Sequence, residues 1–173
     1  MTNIIRSFKS KRLGVLGDVL LDLYIDGEVE RISPEAPVPV ILERGRRYVL
    51  GGAGNVAANI AALGGRVTLL SILGRDSEAG IVRRLCEEKR IRLRSAVDPS
   101  RPTPLKVRPI ARHQQLLRID REEVGPVKGL VEKALIRLVG TLPKQELVII
   151  SDYAKGAVTP RVISALKARL GPQ

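Results

Sequence analysis

The stretch "VLGGAGNVAANIAALGG", residues 49–65, sets a cluster of glycines directly ahead of an alanine-rich run. Val56, Ala57, Ile60, Ala61 and Leu63 recur at helical spacing and Gly64 supplies a stop, so the run reads as a helix entered through a tight turn. Such a helix start brings bare backbone N–H groups up to an anion or a polar ligand. Three readings of the turn are open. Gly52, Gly54 and Ala57 match the GxGxxA spacing of a dinucleotide-binding turn, with Asp76 at the distance of a ribose-binding acid. Gly51 and Gly52 can instead let the backbone touch a hydroxylated ligand, while Asn55 offers both a donor and an acceptor. The plainest reading is a tight turn with Asn55 as helix cap.

Working outward, "RLGVLGDVLLDLYIDG" (12–27) begins as a buried strand whose far end carries Asp18 and Asp22. "RISPEAPVPVILERGRRYVL" (31–50) mixes prolines with branched residues and reads as edge strands or a ribbon. Downstream, "RVTLLSI" (66–72) is a buried strand, and Ser77 is placed to cap a helix reaching about Lys89, with Ile81, Leu85 and Cys86 inward. "IRLRSAV" (91–97) alternates like a strand, and so does 103–120, which can pair with the earlier ribbon. A helix at 129–140 leads to "ELVIISDYAKG" (146–156), read as a buried strand running into a polar loop. Thr159, Pro160 and Gly171 frame a last helix.

Strands alternating with helices predict an α/β fold, a mainly parallel sheet flanked by helices. A small β-flap or lid is expected from segments 24–48 and 103–120. Residues 1–11 read as a basic tail and 12–173 as the domain. Ligands of such sheets sit at the carboxyl ends of the strands, where Asp22, the 51–55 turn, Asp76 and 152–155 can converge. A dinucleotide turn wants a strongly apolar strand before its glycines, and "RGRRYVL" is a poor one.

Composition narrows the partner. Lys plus Arg exceed Asp plus Glu by 30 to 18, a net charge of +12, so the field attracts anions. Aromatic residues make up only 2% of the chain, too few for a single-strand stacking platform, and no nucleic-acid-binding motif is present, so a phosphorylated small molecule is favoured over nucleic acid. No apolar run is long enough for a membrane helix and the start lacks the pattern of a signal peptide, so a cytoplasmic location without membrane contact is expected. The single cysteine, Cys86, reads as core, and no metal cluster is expected.

Six motifs in register, "GDVLLD", "RISPEAPVPV", "GGAGNVAANIAALG", "GRDSEAG", "HQQLLRID" and "SDYAKG", resemble the ribokinase-like (PfkB) carbohydrate kinases, and their heptose 7-phosphate kinase branch in particular. The resemblance covers about residue 12 to the C-terminus. It implies ATP- and Mg2+-dependent phosphorylation of D-glycero-D-manno-heptose 7-phosphate at its anomeric oxygen, on the way to ADP-heptose for lipopolysaccharide. By the same resemblance Asp22, Gly51, Gly52 and Asn55 would hold sugar hydroxyls, with Asp18 a weaker candidate. Ser33, Lys106, Gln115 and Arg118 would fall on lid segments covering the substrate, and His113 would be a hydrogen-bonding group of the flap. Asp152 and Lys155 would stand between sugar and nucleotide, with Lys155 near the transferred phosphoryl group. The family's late GAGD motif, which supplies the base and the anion hole, has no match among these residues, nor does most of the nucleotide site. The expectation is therefore a sugar-binding half, inactive alone, that pairs through its flap as a homodimer or with a separately encoded second half.

Overall fold

The computed structural model describes residues 8–143 and 147–171. Most of the expected tail, residues 1–7, lies outside them; Phe8–Ser10 make a single 3-10 turn. In chain order the elements are β1 (Arg12–Gly17), β2 (Val19–Ile32), β3 (Pro39–Gly52), α1 (Ala53–Ala62), β4 (Arg66–Leu73) and α2 (Ser77–Glu88). They continue as β5 (Arg92–Val97), β6 (Leu105–Ala111), β7 (Gln114–Gln115), β8 (Ile119–Arg121), α3 (Gly129–Gly140), β9 (Leu147–Ser151) and α4 (Pro160–Leu170).

The near-continuous apolar runs of β1 and β4 suit strands covered on both faces. They form the middle of a four-stranded parallel sheet, ordered β5-β4-β1-β9. On one face Val15 and Leu69 pack with Ala57 and Ile60 of α1 and Val82 and Cys86 of α2. On the other, Leu16, Leu70 and Ile72 pack with Leu135 and Val139 of α3 and Val162 and Leu166 of α4. Burial pushes the Cys86 thiol up to about 11, so this cysteine is an inert piece of core.

A second sheet, ordered β3-β2-β6-β7 with β8 also on β6, joins residues from both proline-bearing stretches. β2 runs antiparallel to β3 and parallel to β6. Leu21, Leu23 and Leu105 of its inner half continue the first core.

Three local expectations are corrected. Asp22 does not end the first strand: β1 stops at Gly17, and Asp22 lies inside β2, in the other sheet. The cap of α2 is Asp76, not Ser77, because the Asp76 carboxylate accepts the N–H of Ala79 at 2.9 Å. The strand after residue 146 is not buried. β9 is an edge strand paired only with β1 among the described residues, leaving Leu147 and Ile150 52% and 47% exposed.

Candidate functional site

The chain passes from one sheet to the other at Asp18, and the candidate site is built around that step. The Asp18 carbonyl accepts the N–H of Ala53, the first residue of α1, at 2.9 Å. Its buried carboxylate accepts three more N–H groups, from Tyr153 at 2.9 Å, Lys155 at 3.1 Å and Ala157 at 2.9 Å. Asp18 thus ties the loop after β9 to the start of α1. Its carboxylate is engaged by backbone N–H groups, and this gives it a positioning role.

Four residues on, Asp22 ion-pairs with Arg108 of β6 through Oδ1 and Nη1. Asp22 stands opposite Lys106 in the parallel register, so Asp22, Lys106 and Arg108 share one face of the second sheet. A Cβ on Gly51 would sit 2.7 Å from Asp22 Oδ2, so the bare backbone there makes room for the carboxylate. Lys106 Nζ donates to Asp120 Oδ2 at 2.7 Å and to Glu122 Oε2 at 3.1 Å. The other Glu122 oxygen accepts from Lys155 Nζ at 2.7 Å. Glu122 therefore bridges the two ammonium groups, one from the second sheet and one from the loop that Asp18 fastens.

The remaining expected residues divide. Gly52 is the N-cap of α1 at φ 54°, where a Cβ would stand 2.4 Å from the Asp18 carbonyl, so this glycine serves the close approach of two backbone segments. Asn55 is exposed on the first turn of α1 and does not cap it, which overturns the cap reading. Asp152 turns its carboxylate back to the N–H of Ala154 at 2.8 Å, shaping the loop. Arg118 lies exposed at the rim and shares Asp120 with Lys106. Gln115 is exposed on β7, opposite Ile110, farther out along the sheet. Ser33 is not brought to the cluster within one chain. It sits in the turn between β2 and β3, eleven residues beyond Asp22, on the order of 30 Å along a strand.

His113 occupies the exposed β6–β7 turn at φ 65°, with no side-chain hydrogen bond among the described residues; the expected hydrogen-bonding role is not seen. Asp76 is not a ribose acid. Besides capping α2, it accepts the N–H of Thr103 at 2.7 Å and the Thr103 hydroxyl at 2.8 Å. The sequence reading missed Arg108 and Glu122. Strand alternation in "LKVRPIA" sets Arg108 on the face of Lys106 and could have found it, whereas Glu122 carries no local signal.

Burial works to raise the Glu122 pKa, but hydrogen bonds from Lys155 and Lys106 outweigh it and hold the group below its ordinary 4.5. Burial likewise opposes the shift of Asp76, which the Thr103 and Ala79 hydrogen bonds carry below 3.8. Each depressed folded-state pKa gives stability that is complete above the unfolded value and lost as pH falls through the folded one. Thermal melts are thus expected to hold steady from pH 7 to about pH 5 and to fall progressively below about 4.5. A melting temperature unchanged down to pH 3 would contradict this assignment.

Comparison with known proteins places these features in context. The chain is 45% identical over 165 residues to the Bifunctional protein HldE of Caulobacter vibrioides, an alignment covering 94% of this chain and 34% of the relative. It is 44% identical over 160 residues to the D-beta-D-heptose 7-phosphate kinase of Bordetella bronchiseptica, covering 92% of this chain and 50% of that protein. The chain thus spans a third to a half of the length of these curated relatives. In fold it is similar to phosphofructokinase-2 from Escherichia coli, solved in a tetrameric inhibited form, with a TM-score of 0.70 at 17% identity over 92% of this chain and 52% of that one. The model of the pfkB family carbohydrate kinases matches residues 10–169, and the chain belongs to that family.

Proposed function

We propose that these residues form the sugar-phosphate-binding part of a kinase acting on D-glycero-D-manno-heptose 7-phosphate at its anomeric hydroxyl. The observation that carries this reading is the 44% identity to a heptose 7-phosphate kinase across 92% of the chain. The geometry supports it. Asp22 beside the bare backbone of Gly51 offers carboxylate oxygens to sugar hydroxyls, and Asn55, free on the first turn of α1, adds a donor and an acceptor. Lys106, Arg108 and Lys155 are the cations within reach of a phosphate ester, which would share them with their present carboxylate partners. Lys155, held by Glu122, is assigned to the negative charge of the phosphoryl group in transfer.

In this reading the outer part of the second sheet is a lid over the substrate, carrying Gln115 and Arg118. ATP and Mg2+ enter as the phosphoryl donor and its counter-ion. No residue of this chain is assigned to hold them or to act as base. Calorimetry on the 173-residue chain is expected to give saturable binding of the heptose 7-phosphate, stronger than fructose 6-phosphate and far stronger than NAD. Asp22→Ala is expected to weaken it by about 1.5–3 kcal/mol, the range for hydrogen bonds to a charged group. An absence of sugar-phosphate binding, or a preference for NAD, would overturn the proposal.

The same sheet is proposed to pair with a second copy. The sheet and its β2–β3 turn expose Ile32, Val38, Leu42, Leu117 and Ile119, and β3 is an edge strand. Light scattering is expected to give twice the chain mass of 18.9 kDa. Leu42→Glu is expected to return it to a monomer, and a monomeric parent chain would end this part of the reading.

A further inference from the structure

At the end of the first sheet opposite the candidate site lies a cleft of about 460 Å³ lined by Arg12, Arg66, Lys89, Arg90 and Arg92. Its position follows from the topology. Arg12, Arg66 and Arg92 open three adjacent parallel strands, β1, β4 and β5, with Arg12 directly opposite Arg66 and Arg92 opposite Thr68. Lys89 and Arg90 come from the turn that closes α2, where Arg90 takes a left-handed φ of 57°.

Among the described residues, no acidic one lines the cleft. Among the described residues none of the five cationic side chains makes an ion pair or a side-chain hydrogen bond. The site-side cations behave differently: Lys106, Arg108 and Lys155 each have a carboxylate partner. The C-terminal ends of α1 and α2 point toward the cleft and each contributes roughly half a negative charge. Together they offset about one of the five positive charges. The others have no acidic side-chain partner among the described residues, and their summed field favours a bound anion.

We propose that this cleft binds a compact small molecule carrying two or more phosphate groups. Several guanidinium groups at adjacent strand ends suit phosphate oxygens, which they bind in paired hydrogen bonds. The volume is that of a small-molecule site. Among the described residues no aromatic ring lines it, so a nucleobase finds no stacking partner there, and single-stranded nucleic acid loses its main sequence-tolerant contact. The ligand is recognised through its phosphates alone.

The test is calorimetry of the 173-residue chain with inorganic tripolyphosphate, without divalent cations. One-to-one binding is expected, weakened about tenfold or more by Arg66→Gln/Arg92→Gln, which removes two paired phosphate contacts. Arg31→Gln/Lys133→Gln removes the same charge from exposed positions elsewhere and is expected to change affinity by less than about threefold. Melting curves confirm that each pair is folded, and Arg12→Gln/Arg90→Gln replaces the cleft pair if it is not. Equal weakening by the two pairs would show a response to overall charge and overturn the proposal. So would an absence of saturable binding, binding untouched by the cleft substitutions, or tighter binding to a short DNA duplex than to tripolyphosphate. Because the cleft is remote from Asp22 and Lys155, the result is independent of how the sugar experiment comes out.

Discussion

Asp18→Ala is expected to lower the melting temperature by about 10 °C, the largest loss foreseen for any single side chain in the site. The carboxylate accepts three backbone N–H groups, that of Ala157 in the interior and those of Tyr153 and Lys155 at its edge. Hydrogen bonds to a charged acceptor are worth about 1.5–3 kcal/mol each, and water can replace part of the two outer ones. A loss of about 3–5 kcal/mol follows. For a chain of this size each kcal/mol moves the midpoint by roughly 2–4 °C. Asp18→Asn keeps one oxygen acceptor and is expected to fall between parent and alanine variant. Because the same loop carries Lys155, Asp18→Asn is also expected to weaken sugar-phosphate binding while leaving Asp22 and Arg108 in place. A melting temperature within about 2 °C of the parent for Asp18→Ala would mean that the loop is held by something else.

What could be read in advance divides along physical lines. The parallel sheet and its helices were legible because their signals are local: apolar runs, 3.6-residue periodicity, and the Thr159–Pro160 start of α4, where the Thr159 hydroxyl accepts the N–H of Val162 at 3.2 Å. Asp22 and Gly51 were legible in part, as residues that the family resemblance assigns to one site; the β2–β3 pairing that brings them together was not. The partner of Asp22 was not, because Arg108 lies 86 residues away and meets it only through the parallel β2–β6 register. Asp18 was harder still. Its partners are main-chain N–H groups more than 130 residues along the chain, and a backbone donor leaves no trace in residue identity. The exposure of β9 shows a further limit: an apolar run of four residues reads alike in the middle of a sheet and at its edge.

Gly52→Ala is expected to cost about as much as Asp18→Ala, for reasons that lie in the same junction. At φ 54° and ψ −132° the backbone of Gly52 occupies a region in which residues with a Cβ are strained by about 1–3 kcal/mol. The added methyl would also stand 2.4 Å from the Asp18 carbonyl and 3.1 Å from Leu20 Cγ. The first of these neighbours is backbone, and it is the same carbonyl that accepts the N–H of Ala53 at the head of α1. Relief therefore requires β3 and the helix start to move away from β2, lengthening that hydrogen bond and shifting Gly51 from beside Asp22. Overpacking of this kind adds about 1–3 kcal/mol to the backbone strain. The combined loss, about 3–5 kcal/mol, should appear as a melting temperature lowered by about 10 °C or more. Gly45, in the same strand but with open space where its Cβ would go, is the matched control, and Gly45→Ala is expected to be nearly neutral. If Gly52→Ala melted with the parent while losing only ligand affinity, Gly52 would be a contact to the sugar and not the hinge on which β3 and α1 meet.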